Sequence, residues 1–390
     1  MGVIDMMKRL GFGLLALVFL LGVGVNGYAT PAVEGLVVEV PYAILMEKET
    51  GAVLFEQDAD TRTAPASITK IMTTLLIMEE IEAGRLALDD MIVASAYAAS
   101  MGGSQIFLEE GEQMTVRDML KGIVVSSAND ASVAMAEHIA GTEAAFAARM
   151  NQRAGELGME NTVFVNSTGL PEDAQENQVT ARDVALMSRA LIQHELVKEF
   201  STIWMDSVRG GEFGLSNTNR LIYYYEGATG LKTGFTQTAM YCLAATAMRD
   251  GVEFIAVVLY GETSDQRFDA AKTLLNFGFA NYTLVDVQPA DVLRPLRVEL
   301  GRVSSVQPVL DGHPRLLLEK TKAGGVTQSV ELAETVPAPV TAGQQLGTLT
   351  VYDGAAVIAT IPIVAADSVE RLSTGGVFVR FLQLLFTGGL

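Results

Sequence analysis

The hydrophobic pattern of the chain changes near residue 284, and this change most constrains the fold. Residues from Pro31 to about Tyr282 mix helical and strand patterns, whereas Leu284 to Asp367 are mostly short β-branched runs separated by turns. A length of 390 residues allows two or three domains at about 100 to 200 residues each. The pattern therefore predicts a mixed domain over 30–283 and an all-β domain over 284–368.

The N-terminus has the layout of a secretory signal peptide over residues 1–29. Lys8 and Arg9 precede a 16-residue apolar run from Leu10 to Val25. In Gly27-Tyr28-Ala29, the small residues Gly27 and Ala29 lie three and one positions before a possible cleavage site. An uncleaved membrane anchor is the alternative, although the run is shorter than the roughly 20 residues of a spanning helix. The signal peptide predicts export across the cytoplasmic membrane.

At the other end, residues 369–390 predict an amphipathic helix. The segment VFVRFLQLLF is apolar except for a narrow polar stripe formed by Arg380, Gln383 and Thr387. Such a helix can lie in a membrane interface or pack on the protein's own core. We expect peripheral attachment to the membrane surface, with Gly375-Gly376 as a hinge.

Charge and composition exclude several classes of function. The 46 acidic residues against 27 basic ones give a net charge of -19, which would repel a nucleic acid backbone. A single cysteine, Cys242, and three separated histidines form no zinc-binding motif. We therefore predict no nucleic acid partner, no metal and no cofactor.

Local patterns place the main elements of the first domain. They predict a strand over Leu36–Glu47, a helix over Ser67–Ala83 and two strands over Tyr241–Met248 and Val252–Tyr260. Thr115 with Asp118 begins another helix, which breaks at residues 126–129 and resumes to Gly141. In the second domain, Asp353-Gly354 predicts a hairpin.

Three short motifs carry the chemistry. Ser67 and Lys70 share one helix face, where an amine with a lowered pKa can activate the hydroxyl. Ser127 and Asn129 lie at the helix break, and Lys232-Thr233-Gly234 opens a strand where glycine permits close approach of a ligand. Each motif alone is equally explained by helix caps, a solvated lysine or a turn.

Together, and in this order, the motifs resemble the signature of the serine penicillin-recognising enzymes. The surrounding text, TRTAPASITKIMT, GIVVSSANDASVAMAEHIAG and GLKTGF, resembles the low-molecular-mass D-alanyl-D-alanine carboxypeptidases. The resemblance implies an α/β (α+β) penicillin-binding/β-lactamase-like catalytic domain, with a mainly antiparallel sheet flanked by helices, plus a C-terminal all-β domain.

The resemblance also implies a role for each motif residue. Ser67 would attack a peptidoglycan stem peptide ending in D-Ala-D-Ala, and Lys70 would accept its proton. The remaining roles are proton relay by Ser127, substrate binding by Asn129, Lys232, Thr233, Gly234 and Arg267, and a backbone oxyanion hole at Ser67 and Phe235. Many relatives have histidine where this chain has Phe235.

We therefore predict a penicillin-sensitive serine D-Ala-D-Ala carboxypeptidase, exported and membrane-attached, with β-lactam antibiotics as covalent inhibitors. Three alternatives stay open from the sequence. An endopeptidase would use the same residues, a β-lactamase would need a second base that no ExxLN-type sequence supplies, and a non-catalytic wall-binding protein would not need intact motifs.

Overall fold

The computed structural model describes residues 36–171 and 176–387, so the predicted signal peptide over 1–29 lies outside the described residues. The strands are β1 Tyr42–Glu47, β2 Val53–Gln57, β3 Met91–Val93, β4 Gln113–Thr115, β5 Met205–Val208, β6 Phe213–Ser216, β7 Ala228–Thr236, β8 Met240–Arg249, β9 Val252–Gly261, β10 Tyr282–Asp286, β11 Leu296–Glu299, β12 Ser305–Val306, β13 Pro308–Leu310, β14 Arg315–Glu319, β15 Val326–Leu332, β16 Thr335–Pro337, β17 Gln345–Asp353 and β18 Ala356–Ala365.

The helices are α1 Lys70–Glu82, α2 Ala96–Ala99, α3 Val116–Val125, α4 Asn129–Ala140, α5 Glu143–Glu156, α6 Ala181–Leu191, α7 Lys198–Ser201, α8 Leu221–Tyr224, α9 Ser264–Asn281 and α10 Thr374–Thr387. Short 3-10 turns cover Ala66–Thr69, Glu195–Val197, Arg209–Gly211 and Ala323–Gly325. One of these turns, Ala66–Thr69, runs directly into α1 and carries Ser67.

A five-stranded antiparallel sheet organises the first part of the chain, in the order β2-β1-β9-β8-β7. Its three inner strands, β1, β8 and β9, are apolar at most positions because both faces of the sheet are covered there. In β9, Ile255 and Val257 enter the core shared with α1, α3, α4 and α6, whereas Phe254 and Val258 enter the core shared with α9. Alternate residues of a strand point to opposite faces of its sheet, so β9 contributes to two separate cores.

The predicted break between α3 and α4 is confirmed. The Thr115 hydroxyl accepts a hydrogen bond from the Asp118 N–H and caps α3, which ends at Val125. The chain then turns through Ser127, whose φ is +65°, and resumes as α4 until Gly141, whose φ is +81°. A positive φ strains a serine, so the surrounding structure must hold this turn in place.

Residues beyond 282 form small sheets with their own cores. The four-stranded sheet has the order β13-β18-β17-β15, and the hairpin between β17 and β18 turns at Gly354, as predicted. Leu349 and Ile363 lie in one core, and Val298 and Val340 lie in another. The architecture is therefore a helix-flanked antiparallel sheet followed by a β-rich part, which is the predicted fold class.

Two predictions from local pattern are wrong. The first strand begins at Tyr42 rather than Leu36, and Pro41, which has no N–H to donate, directly precedes it. The Gly375-Gly376 pair is not a hinge, because both residues lie inside α10. The Ser373 hydroxyl accepts a hydrogen bond from the Gly376 N–H and so supports a helix start that contains two glycines.

Candidate active site

Ser67 and Lys70 meet at the start of α1, as their spacing predicts. The 3-10 turn Ala66–Thr69 presents the Ser67 hydroxyl, and Lys70 is the first residue of α1. The Lys70 Nζ lies 3.0 Å from the Ser67 Oγ. A serine hydroxyl within hydrogen-bond distance of an amine has the geometry of a nucleophile beside its base.

The Lys70 amine is fully buried and has two further partners. It donates to the Asn129 Oδ1 at 2.6 Å and to the Thr168 carbonyl at 2.9 Å. Burial holds the pKa of Lys70 well below its ordinary value, and the charge of Lys232 lowers it further, while Asp130 and Glu143 act in the opposite direction. A buried lysine with a lowered pKa can accept a proton near neutral pH.

Ser127 lies on the turn that joins α3 to α4, and Asn129, the first residue of α4, is a partner of the Lys70 amine. Both side chains are buried, and the Asn129 Nδ2 donates to the Gly102 carbonyl at 2.7 Å. The Asn129 backbone N–H donates to the Ser104 carbonyl at 2.7 Å. These two hydrogen bonds to residues 102–104 orient Asn129, so that its Oδ1 accepts from the Lys70 amine.

The motif Lys232-Thr233-Gly234 lies in the middle of β7 and does not open the strand, which corrects the prediction from sequence. β7 is the edge strand of the five-stranded sheet. Gly234 is required there for packing within the protein, because a Cβ at this position would lie 2.7 Å from the Pro65 carbonyl oxygen. Glycine thus lets β7 pack directly against the turn that carries Ser67.

Lys232 supplies a second buried amine. Its Nζ donates to the Thr233 carbonyl at 3.1 Å, and it lines a small internal cavity together with Lys70. Burial lowers the pKa of Lys232 to about 7, with a further contribution from the charge of Arg267. Two buried lysines with lowered pKa values and a nucleophile in one place are typical of a catalytic centre.

Arg267 lies in the first turn of α9 and is buried. Its Nη1 donates to the Gly234 carbonyl at 3.0 Å and to the Cys242 carbonyl at 3.3 Å. Its Nε is one of the few buried side-chain atoms without a hydrogen-bond partner in the described structure. The arginine therefore supports the strand that carries Lys232 and retains an unused donor.

Phe235 follows Gly234 and is half exposed, with its ring 4.3 Å from that of Tyr241 between centroids. Tyr241 is paired with Phe235 across the β7–β8 ladder, so this aromatic pair covers the end of the edge strand. The ring of Tyr241 also lies 5.3 Å from the Arg267 guanidinium. The contacts of the described residues thus connect Lys70, Asn129, Gly234 and Arg267 to the Ser67 turn, directly or through one neighbour, and Ser127 lies on the turn just before Asn129.

Two residues of the site were missed by the sequence analysis. Thr168 offers its carbonyl to Lys70 from 98 positions away, and the Thr218 hydroxyl accepts from the Thr233 hydroxyl at 2.7 Å. The Thr218 N–H also donates to the Val125 carbonyl, which ties the end of α3 to β7. No local pattern marks either threonine, because both act through contacts that only the tertiary fold creates.

The fold and the three assembled motifs define a penicillin-recognising serine enzyme. A family model described as D-alanyl-D-alanine carboxypeptidase matches residues 30–263, which is more than half of the chain. A second model, described as the C-terminal domain of penicillin-binding protein 5, matches residues 287–371. The chain belongs to the D-alanyl-D-alanine carboxypeptidase family of serine peptidases.

Individual relatives agree with this assignment. The chain is 38% identical over 385 residues to D-alanyl-D-alanine carboxypeptidase DacF of Bacillus subtilis, covering 97% of each chain. Penicillin-binding protein 5 of Haemophilus influenzae is similar in structure, with a TM-score of 0.75 and 28% identity over 86% of this chain and 98% of that one.

Ampicillin-bound penicillin-binding protein D2 of Listeria monocytogenes has a TM-score of 0.55 and 32% identity over 63% of this chain and 99% of its own. The family assignment and these relatives confirm the predicted fold class and enzyme class, a D-alanyl-D-alanine carboxypeptidase that hydrolyses peptide bonds.

Proposed function

We propose that Ser67 is the nucleophile and Lys70 its base in removing the terminal D-alanine from peptidoglycan stem peptides. The Ser67 oxygen attacks the carbonyl carbon of the penultimate D-alanine while its proton passes to the Lys70 amine. The observation that carries this proposal is the 3.0 Å contact between the fully buried Lys70 Nζ and the Oγ of Ser67, which is partly exposed. Burial lowers the pKa of the amine and so favours the neutral form that can take the proton.

The tetrahedral intermediate then collapses, and the bond to the leaving D-alanine nitrogen breaks. We assign to Ser127 the relay of a proton from the Lys70 ammonium to that nitrogen, because Ser127 is buried on the strained turn just before Asn129, a partner of the Lys70 amine. Water next gives a proton to the Lys70 amine as it attacks the acyl-enzyme carbonyl carbon. The bond to the Ser67 oxygen then breaks, that oxygen takes the proton back, and the shortened peptide leaves. Asn129, already oriented by Gly102 and Ser104, holds the amide of the substrate.

The positive charges of Lys232 on β7 and Arg267 on α9 suit the terminal carboxylate of the substrate. Lys232 and Thr233 would bind that carboxylate, and Arg267 would contribute both its charge and the free Nε donor. Because β7 is the edge strand of its sheet, the substrate backbone can lie alongside it at the Lys232-Thr233-Gly234 motif. The backbone N–H groups of Ser67 and Phe235 would form the oxyanion hole, since Gly234 brings β7 against the Ser67 turn.

The test is the mass of the intact protein, followed over time after benzylpenicillin is added. A long-lived acyl adduct is expected in the wild-type protein and none in Ser67→Ala. Lys70→Arg should also fail to acylate, because a guanidinium stays protonated and cannot serve as a base. An adduct on Ser67→Ala would refute the nucleophile assignment, and rapid penicillin loss without an adduct would indicate a β-lactamase.

A second assay separates the carboxypeptidase from an endopeptidase. Release of D-alanine from a pentapeptide is expected to exceed cleavage of a cross-linked dimer. The family description and the name of the Bacillus subtilis relative support the carboxypeptidase. Faster cleavage of the cross-linked dimer would overturn this choice.

We also propose that α10 attaches the enzyme to the outer face of the cytoplasmic membrane after export by the 1–29 segment. Phe378, Phe381 and Phe386 of α10 are exposed, whereas Arg380 donates to the Gly301 carbonyl. The side chains of Gln383 and Thr387, which complete the predicted polar stripe, lie outside the described ones. Exposed phenylalanines on a helix end are suited to a lipid interface.

None of the helices among the described residues is long and apolar enough to cross a membrane. If α10 is the anchor, deleting residues 374–390 should release the protein from membrane vesicles while D-alanine release continues. A truncated protein that still sediments with vesicles would refute α10 as the anchor.

We place the domain boundary at residue 284, with a catalytic domain over 30–283 and a β-rich domain over 284–368. Separate hydrophobic cores on either side support this division, as do the two family matches, which end at residue 263 and begin at residue 287. The anchor region, 369–390, includes α10. Limited proteolysis that releases a stable fragment ending near residue 284 would support the boundary, and cleavage only within the β-rich part would refute it.

A further inference from the structure

Glu143 is a buried acid that the proposed reaction does not use. It is the first residue of α5, is 7% exposed, and follows the capping residue Thr142. Its Oε1 accepts hydrogen bonds from the Ser167 N–H at 2.9 Å and the Ser167 hydroxyl at 2.5 Å. Its Oε2 accepts from the Tyr97 hydroxyl at 2.9 Å. A buried carboxylate with three donors is held rigidly and has a fixed position relative to its neighbours.

Residues 165–170, here called the rear segment, lie between Glu143 and the nucleophile. The Ser167 carbonyl accepts from the Thr73 hydroxyl of α1 at 2.6 Å, and the next carbonyl, that of Thr168, accepts from the Lys70 amine at 2.9 Å. Gly169 lies against the Ser67 turn so closely that a Cβ there would be 1.8 Å from the Ala66 oxygen. A shift of Ser167 would therefore move the acceptor that directs the Lys70 amine.

The charges that face Lys70 come from three elements. Lys232 on β7 disfavours the protonated amine, whereas Asp130 on α4 and Glu143 on α5 favour it. Asp130 is bound to the N–H groups of Ile106, Leu108 and Ala131, so it organises a different part of the site. Glu143 alone of these two acids is bound to the rear segment.

We propose that Glu143 is a positioning residue that, through Ser167, holds the rear segment so that the Thr168 carbonyl keeps the Lys70 amine directed at Ser67. Its negative charge also compensates part of the cost of protonating Lys70 when the serine proton arrives. The inference rests on the proposed role of Lys70 as the base. It assigns no contact between Glu143 and the substrate.

The experiment measures the second-order rate constant of acylation by benzylpenicillin from pH 5 to 9, using intact mass. Glu143→Gln keeps an oxygen acceptor but removes the charge, so the acid limb of the profile should move to lower pH by about 0.5 to 1 unit. The plateau should fall about two- to tenfold, because the Lys70 amine becomes a correspondingly weaker base. Glu143→Asp keeps the charge and should leave the acid limb close to that of the wild type.

Glu137→Gln is the matched control. Glu137 also accepts a hydroxyl hydrogen bond, from Ser95 at 2.6 Å, but lies on α4. Its profile should match the wild type in both limb and plateau. A Glu143→Gln profile that matches the wild type, or the same change in Glu137→Gln, would overturn the inference.

Ser167→Ala keeps the inference testable if Glu143→Gln fails to fold. This variant retains the charge of Glu143 and the main-chain hydrogen bond but loses the hydroxyl, so the plateau should fall while the acid limb stays in place. An unchanged plateau would refute the route through the rear segment. Lys70→Arg separates the two proposals. If that variant is acylated, the assignment of Lys70 as the base is refuted. If it is not acylated while Glu143→Gln has the wild-type pH profile, only the role of Glu143 is refuted.

Discussion

Replacing Lys232 with methionine should make the protein more stable while it abolishes D-alanine release. Lys232 is 3% exposed, and burial lowers its pKa from the ordinary 10.5 to about 7. Each pKa unit corresponds to about 1.4 kcal/mol, so the charged lysine destabilises the folded state by about 5 kcal/mol at pH 6. Losing its 3.1 Å hydrogen bond to the Thr233 carbonyl offsets about 1 kcal/mol of this. We expect a net gain of about 2 to 4 kcal/mol in the free energy of unfolding.

The gain should depend on pH in a defined direction. Between pH 7 and 10.5 the unfolded chain keeps the proton on Lys232 longer than the folded one does, so wild-type stability from this group rises with pH. The advantage of Lys232→Met should therefore shrink by about 2 to 3 kcal/mol from pH 6 to pH 9. The assay is urea unfolding followed by the fluorescence of Trp204, the single tryptophan of the chain.

Lys322→Met is the control, because Lys322 is exposed and its pKa is raised by Glu319. That substitution should change the free energy of unfolding by less than about 0.5 kcal/mol at either pH. If Lys232→Met is no more stable than the wild type at pH 6, or if its advantage does not shrink by pH 9, the lysine is not destabilised by burial. The conclusion that burial of Lys232 in the active site disfavours its charged form would then be wrong.

Two further substitutions test the packing and the charge of the site. Gly169→Ala should cost about 2 to 4 kcal/mol in the free energy of unfolding and slow acylation, because φ is +79° and the new Cβ would lie 1.8 Å from the Ala66 oxygen. Gly84 has a φ of +68° but open space around it, so Gly84→Ala should cost only about 1 to 2 kcal/mol in the free energy of unfolding. If urea unfolding shows the same loss of stability in both variants, the close contact between residue 169 and Ala66 is not the cause. Arg267→Gln should raise KM for a pentapeptide roughly 10- to 100-fold with a smaller change in kcat. Arg220→Gln removes an exposed arginine that pairs with Asp265, contacts the Ser264 hydroxyl and lies over the Phe268 ring, and should leave KM within about threefold of wild type. A similar KM in both variants would remove Arg267 from carboxylate binding.

The sequence predicted the parts of the site that depend on local geometry. Ser67 and Lys70 are three positions apart at the beginning of one helix, and the 3.0 Å distance between their functional atoms follows from that spacing. The break before α4 could be predicted because a helix pattern is interrupted there by polar residues. The hairpin at residues 249–251 follows in the same way from a turn between two apolar runs.

The parts that the sequence did not predict depend on long-range contacts. The Asn177 Nδ2 bonds to the Thr69 hydroxyl from 108 positions away, and its Oδ1 accepts from the N–H groups of Val165 and Asn166. These bonds fix the rear segment behind Lys70, yet an asparagine in a loop gives no sign of its distant partner. The same holds for Glu143, which has the appearance of an ordinary acid at a helix start until the fold brings Ser167 to it.

The distribution of charge explains how an acidic protein can bind an anionic substrate end. The chain carries a net charge of -19, which by itself opposes the approach of a carboxylate. Lys70, Lys232 and Arg267 are nevertheless buried close together, and the charges of Asp130 and Glu143 act on Lys70 from the other side. In a poorly solvated site, the attraction of Lys232 and Arg267 for a carboxylate is much stronger than it would be at the surface. Because a bound carboxylate would raise the pKa of Lys232 toward its ordinary value, substrate binding itself would restore the charge that burial suppresses.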